Sequence, residues 1–352
     1  MMTLRKMTQG LDSIPAATGW YLADLGEARG KQELFIKQSP QKLKVLREHA
    51  LIESAISSNR IEGVEVDQKR IGTILFGKSH LRDRDEQEVR GYRDALALIH
   101  EKGAKLSISE KTILQLHALA RGNIGDAGKY KEKDGDIIEK YPDGRMRIRF
   151  KTVSAAETPS FVRELIEDWD ECLVARSAHP LIALAAMNLD FLCIHPFRDG
   201  NGRVSRLLLL LQCYHLGYEV GRYISLERLI EQHKERYYET LEQSSHGWHE
   251  DKHDPWIYIN YIFFILKNAY REFEERVGQV TSPRGAKTEL IIAAIRRSNG
   301  PFHVANIQKE CLGVSIDLIR RVLKDLRPQV ECLGRGSKAQ WQRTEEWKLG
   351  NT

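Results

Sequence analysis

The run His195-Pro196-Phe197-Arg198-Asp199-Gly200-Asn201-Gly202-Arg203, extended by Val204-Ser205-Arg206, constrains this chain more than any other stretch. It lies between two apolar segments. Residues 180–192 are rich in strong helix formers, which predicts a buried helix running up to His195. Pro196 ends that helix, because the residue before a proline is pushed out of helical geometry and proline has no N–H to donate. Residues 204–211 predict a second apolar helix with its N-terminus at Gly202 or Arg203. Gly200-Asn201-Gly202 is then a turn that opens a helix, where free backbone N–H groups and the positive end of the helix dipole bind an anion. Arg203 and Arg206 fall on nearby faces of the first turn and can hold terminal phosphates. Asp199 offers a hard oxygen to a divalent cation bridging two phosphates. His195, with an unperturbed pKa near neutrality, is left as base for an attacking hydroxyl. The pattern is that of a phosphate-handling site.

The segment HPFRDGNGR resembles the signature of the Fic family, whose members mostly transfer AMP from ATP to a hydroxyl side chain of a target protein. The resemblance implies a mainly α fold: a helical core with a β-hairpin flap. It implies His195 as general base, Phe197 as a core anchor of the loop and Asp199 as ligand of Mg²⁺. Gly200, Asn201 and Gly202 become the anion hole, and Arg203 and Arg206 phosphate contacts, with Arg198 counted among the residues around ATP, the substrate. A related kinase-like toxin has lysine where Gly202 stands, so Gly202 favours nucleotidyl transfer. Where many relatives carry a histidine this chain has Asn188, which preserves at most a structural hydrogen bond.

Upstream, Ser58-Asn59-Arg60-Ile61-Glu62-Gly63 resembles the family's inhibitory pattern, a Ser or Thr, three residues, then Glu and Gly or Asn. It closes a helix over about 40–63, with Ser39 as N-cap, Pro40 at the first helical position, and Leu43, Leu46, Ala50 and Ile61 at helical spacing. Gly63 can take the left-handed conformation that ends it. The resemblance implies that Ser58 and Glu62 are inhibitory. Glu62 paired with Arg206 would occupy the guanidinium meant for the γ-phosphate and set negative charge against a triphosphate.

Punctuation divides the chain into an N-terminal helical region over 1–103, a catalytic core over 104–280 and a C-terminal module over 283–346. The first includes a helix over 85–100. Ser107 and Glu110 form a capping-box pattern that opens the core with a helix over 111–120. Residues 128–152 are highly charged, and Tyr141-Pro142-Asp143-Gly144 is a turn signal before an alternating run, so a β-hairpin is predicted. It corresponds to the family's flap, which aligns a target segment by strand addition, and Arg149, Phe150, Lys151 and Thr152 are its target-facing residues. Helices are expected over 160–175 and 224–243. In the second, Tyr237 and Tyr238 resemble positions near the adenine, as does Ser245 beyond it.

After a break at 281–285, helices over 288–297, 304–311 and 315–326 and strands around Val330 and Trp341 follow the winged-helix order. Arg320, Arg321 and Lys324 on the third helix, with Arg335 and Lys338 on the wing, make DNA contact physically feasible, against Asp317 and Asp325. A DNA-binding regulator with a nucleotide-sensing or self-modifying core is therefore the alternative to a Mg-ATP-dependent adenylyltransferase acting on a protein hydroxyl or on itself. A homodimer stays open. The net charge of +5 over 352 residues does not by itself imply nucleic acid. The five scattered cysteines have no metal-ligand spacing, no apolar signal segment opens the chain, and no run is long enough to span a bilayer, so a cytoplasmic protein is expected.

Overall fold

The apolar approach segment becomes the helix Pro180–Ile194, buried on nearly every face, which puts it at the centre of the molecule. Pro180 sits at its first turn, and the His179 side chain accepts from the Leu181 N–H. At the far end His195 adopts a left-handed conformation (φ 52°, ψ 61°) and its N–H closes on the Phe191 carbonyl. The signature helix is Asn201–His215, one to two residues earlier than the sequence suggests, because left-handed Gly200 (φ 86°) serves as its N-cap. This is a computed structural model, which describes residues 2–347 except 39, 78–79, 123, 141–142, 280–285, 299, 312–313, 328, 335, 337–338 and 345–346. The Ser39 cap, Tyr141-Pro142, the break at 281–285, and Arg335 and Lys338 of the expected wing lie outside the described residues.

The fold is mainly helical. Around the central pair pack the helices Pro40–Ile61, Arg84–Lys102, Glu110–Arg121 and Thr158–Ala175, and the long helix Trp256–Gln279 lies against Ala16–Gln38. One continuous apolar core runs through all of them, from Met2 to Leu290. Arg84–Lys102 and Glu110–Arg121 approach at Gly91, where a Cβ would stand 2.1 Å from the Leu119 carbonyl oxygen, so only glycine allows the crossing.

Two expected boundaries move. The helix Glu110–Arg121 is capped by Ser109, whose hydroxyl accepts from the Thr112 N–H, and not by Ser107; the side chain one residue before the first helical turn is the one within reach. The helix expected over 224–243 is two, Leu226–Gln232 and Lys234–Ser245, broken at non-helical His233 (φ −117°, ψ 34°). The hairpin forms as expected from Ile137–Lys140 and Met146–Phe150, paired antiparallel with Ile138 opposite Ile148 and a bulge after Ile137. Near the C-terminus the helices Ala286–Arg297, Val304–Glu310 and Ile316–Asp325 precede the strands Val330–Leu333 and Gln340–Arg343. These share a second apolar cluster, and Phe302 bridges Trp341.

Candidate functional site

The loop between the two central helices is built on Phe197, which is fully buried and stacked on His117 at 3.7 Å between ring centroids. Asn201 locks it, accepting from the Phe197 N–H (2.9 Å) and donating to the Phe197 carbonyl (2.8 Å). Its carboxamide is thereby consumed within the loop, and the Gly200 N–H donates to Asp199 Oδ1 (2.6 Å), so the anion hole expected over residues 200–202 would be left to the backbone N–H groups of Asn201 and Gly202. His117 adds a second tie. Its Nδ1 accepts from the Gly128 N–H, which fixes the proton on Nε2, and Nε2 donates to the Asp199 carbonyl at 3.0 Å.

His195 is half-buried beside this loop. A carbonyl can only accept, so the 3.2 Å contact of its Nδ1 with Leu192 O makes Nδ1 the donor and leaves a lone pair on Nε2. Burial, reinforced by the Lys131 ammonium, lowers its pKa to about 4, with Leu192, Glu62 and Asp199 opposing. The imidazole is therefore neutral across ordinary pH.

Glu62 and Arg206 meet. The Arg206 guanidinium donates to Glu62 Oε1 at 2.7 Å, and to the hydroxyl and carbonyl of Ser58 at 2.9 and 3.0 Å. Burial disfavours its charge, yet the Glu62 carboxylate together with Tyr237 and Tyr92 outweighs this and raises its pKa. The same carboxylate lies against the first turn of the signature helix: a Cβ on Gly202 would stand 2.2 Å from Glu62 Oε1. Pro40–Ile61 ends just before Glu62, and left-handed Gly63 (φ 82°) follows as its N–H closes on Arg60 O.

Arg203 is buried and donates to Asn59 Oδ1 while pairing with Glu88 (2.7 Å) and, more distantly, with Asp199 (3.4 Å). Arg203 Nε and Arg206 Nη1 are buried without a hydrogen-bond partner, an arrangement that favours an acceptor-rich anion. Burial raises the Asp199 carboxyl, but Arg121, Arg203 and Arg84 hold it below the usual range. Arg198 is exposed at the loop surface.

A cavity of about 290 Å³ joins these groups, lined among others by Glu62, His195, Gly202, Tyr237, Tyr238 and Ser245. Tyr237 is buried, whereas Tyr238 is half-buried and its hydroxyl donates to the Ile61 carbonyl, gripping the end of the Glu62 helix. The Ser245 hydroxyl donates to Glu242 O. From the hairpin, Arg149 and Phe150 also line the cavity; Arg149 donates to Tyr238 O and Phe150 packs on His249. Lys151 is exposed and its carbonyl accepts from His249. Thr152 is buried, its hydroxyl accepting from Lys131 and donating to Gly135 O, so it holds the base of the flap together.

Residues 107–213 match the model of the Fic/DOC family. That stretch, under a third of the chain, resembles a Fic domain. It is 24% identical over 218 residues to the protein adenylyltransferase Fic of Drosophila willistoni, covering 60% of this chain and 40% of that protein. To that of Nematostella vectensis it is 25% identical over 199 residues, 54% of this chain and 42% of the other. The chain thus spans about two fifths of the curated relatives it matches. A Fic family protein from Desulfovibrio desulfuricans G20 superposes with a TM-score of 0.60 at 21% identity, over 95% of this chain and 97% of that one. Fic-1 from C. elegans gives 0.58 at 19%, over 74% and 73%.

Around the signature loop stand residues that the sequence does not single out. Glu88, buried on Arg84–Lys102, gathers Arg84, Arg121 and Arg203. Lys131 accompanies His195: its N–H donates to Pro196 O and its ammonium to Ile194 O, and burial lowers its pKa to about 8. Neither has a local signal, since each acts on residues distant in the chain. Asn188 donates to Ser205 O and accepts from Tyr258, a structural tie between the central helices. Among the described residues no helix is long and apolar enough to cross a membrane, and no three or more His, Cys, Asp or Glu side chains form a metal cage.

Proposed function

We propose that the protein is an adenylyltransferase that moves AMP from ATP to a hydroxyl of a protein, and that Glu62 holds it inactive. The observation that carries the reading is the placement of the Glu62 carboxylate on Arg206 and against Gly202, where a terminal phosphate would need to lie. His195 Nε2 faces the reaction as an unprotonated base, oriented by its Nδ1 bond to Leu192 O. Arg203 and Arg206, each with a buried donor unspent, would bind and orient the phosphates. Tyr237, Tyr238 and Ser245 border the part of the cavity left for the base.

Magnesium suits the residues present: it is commonly held by one or two carboxylates plus substrate phosphates, and Asp199 is a half-exposed carboxylate at the loop. Bound there, it would neutralise charge on the polyphosphate. Asp199 would need to release Arg84, whose side chain is 55% exposed and keeps a second partner in Glu88, while Arg121 also holds the same carboxylate oxygen at 2.9 Å.

The test is transfer from α- and γ-labelled ATP. The Glu62→Gly protein should incorporate label from the α position alone, at least about tenfold faster than wild type, equal to about 1.4 kcal/mol in the barrier. Incorporation from the γ position would make it a kinase; equal rates at saturating ATP would remove Glu62 from the account. We read the C-terminal helices and hairpin as a winged helix. Exposed Arg320, Arg321 and Lys324 favour a second role for that part, contact with a nucleic-acid backbone, which duplex binding across salt concentrations tests.

A further inference from the structure

A second, strongly charged cavity of about 500 Å³ lies where Pro40–Ile61, Leu226–Gln232, Trp256–Gln279 and the C-terminal helices converge. Glu53 enters it from the Glu62 helix, Arg228 and Arg276 from the two neighbouring helices, and Arg297 from the C-terminal part. Its cations have donors to spare. Arg276 is buried, yet its Nε and Nη1 have no hydrogen-bond partner. Arg297 stands 3.6 Å from Glu272 and 3.8 Å from Glu310, and Arg60 stands 3.8 Å from Glu231, all beyond hydrogen-bond distance. Lys309 adds a further cation to the lining. A buried guanidinium with two unspent donors is costly unless something fills them.

We propose that this cavity binds a small phosphate-bearing anion, and that its occupation loosens the Glu62 helix. The second half rests on the autoinhibition reading above. Glu53 is held through contacts of 3.3 Å to Arg228, 3.4 Å to His49 on its own helix and 3.8 Å to Arg276, while the two arginines pair closely with Glu272. A phosphate taking the free donors of Arg276 and Arg297 competes with Glu53, the weaker partner, and leaves a buried carboxylate short of its cations. Glu53 and Glu62 ride on one helix and its end, so a displacement of the first is transmitted to the second.

The experiment uses the full chain and inorganic phosphate. Calorimetry at low salt should show saturable binding to wild type, at least tenfold weaker binding to Arg297→Gln, and unchanged binding to Arg206→Gln. Arg297 is 42% exposed, so its replacement should leave the fold intact. Binding that disappears with Arg206→Gln and survives Arg297→Gln would put the anion in the Glu62 site and overturn the proposal, as would no saturable binding at millimolar phosphate. In transfer assays phosphate should stimulate wild type at least threefold and leave Glu62→Gly unchanged. Saturable binding without stimulation would overturn the regulatory half. If Glu62→Gly is itself no faster than wild type, the autoinhibition reading falls, and calorimetry still decides the site.

Discussion

The base role proposed for His195 rests on position more than on an unusual neighbour. Its left-handed backbone, a strain of roughly 1 kcal/mol or more in a non-glycine residue, turns the ring back to Leu192 O and exposes Nε2 to the cavity. Burial has depressed its pKa to about 4, so the base form is present above that pH and is lost only as pH falls through it. Removing Glu62 takes away a carboxylate that raises this value. Transfer by Glu62→Gly should therefore be level from about pH 5.5 to 8. A pH–rate profile bending near about 6.5, the ordinary histidine value, would show a solvated imidazole and contradict the geometry. Arg206 supports a different test, because the proposal gives it two partners in turn, Glu62 and phosphate. Arg206→Ala should cut transfer in the Glu62→Gly background by about 10- to 100-fold, as expected for a charge-assisted contact worth roughly 1.5–3 kcal/mol. Rates for wild type, the two single variants and the double variant complete the cycle. Activation of the otherwise wild-type protein by Arg206→Ala would mean that Glu62 blocks by another route.

At the scale of elements, the Glu62 helix is clamped at its C-terminal end. Tyr238 donates to Ile61 O at 3.2 Å and Arg206 holds both the Ser58 hydroxyl and carbonyl. Tyr238→Phe keeps the ring and deletes one hydrogen bond, worth about 0.5–1.5 kcal/mol, so basal transfer should rise about two- to tenfold. The rise should vanish in Glu62→Gly; a persistent one would show that the hydroxyl acts by a route other than the Glu62 helix, and a fall there would assign it to nucleotide binding. This clamp was half legible. The Ser58-to-Gly63 pattern and the turn at Gly200 are local, and local chemistry of caps and glycines places them well. The sequence places Tyr238 only as bordering a base, because nothing in it reveals that a residue 177 positions away offers a carbonyl. The break at His233 escaped for a related reason: apolar and polar residues continue at helical spacing on both sides, and only tertiary packing decides that Tyr237 is buried among Tyr258 and Tyr261. Arg203 is marked by its place in the loop, whereas Glu88, which holds it, lies on a helix with no motif of its own.

Across the whole molecule, distant segments are joined by buried polar contacts as well as by the common core. The short helix Thr3–Thr8 has no side-chain cap from Met2. Asp190, on the helix that ends in His195, supplies it instead, accepting from the Thr3 N–H (2.9 Å), the Leu4 N–H (2.7 Å) and Trp248 Nε1 (2.7 Å). Free N–H groups at a helix start favour a carboxylate, and three donors satisfy this one. Burial pushes its pKa up to about 6, which leaves it ionised at pH 7.5. Asp190→Asn preserves size but turns an NH₂ group toward at least one of the donors, since an amide has a single acceptor oxygen where the carboxylate uses two. Such a mismatch in a fully buried site costs about 1–3 kcal/mol, enough to lower the melting temperature at pH 7.5 by several degrees. Asp190→Ala, which leaves three donors unmet, should cost more. Because Trp248 is anchored by the same carboxylate and packs on Phe150 at the flap, loosening it should also raise hydrogen exchange at the base of the hairpin. Unchanged melting in both variants would show that water can replace Asp190, and protection lost only in the first helix would show that the flap does not depend on it.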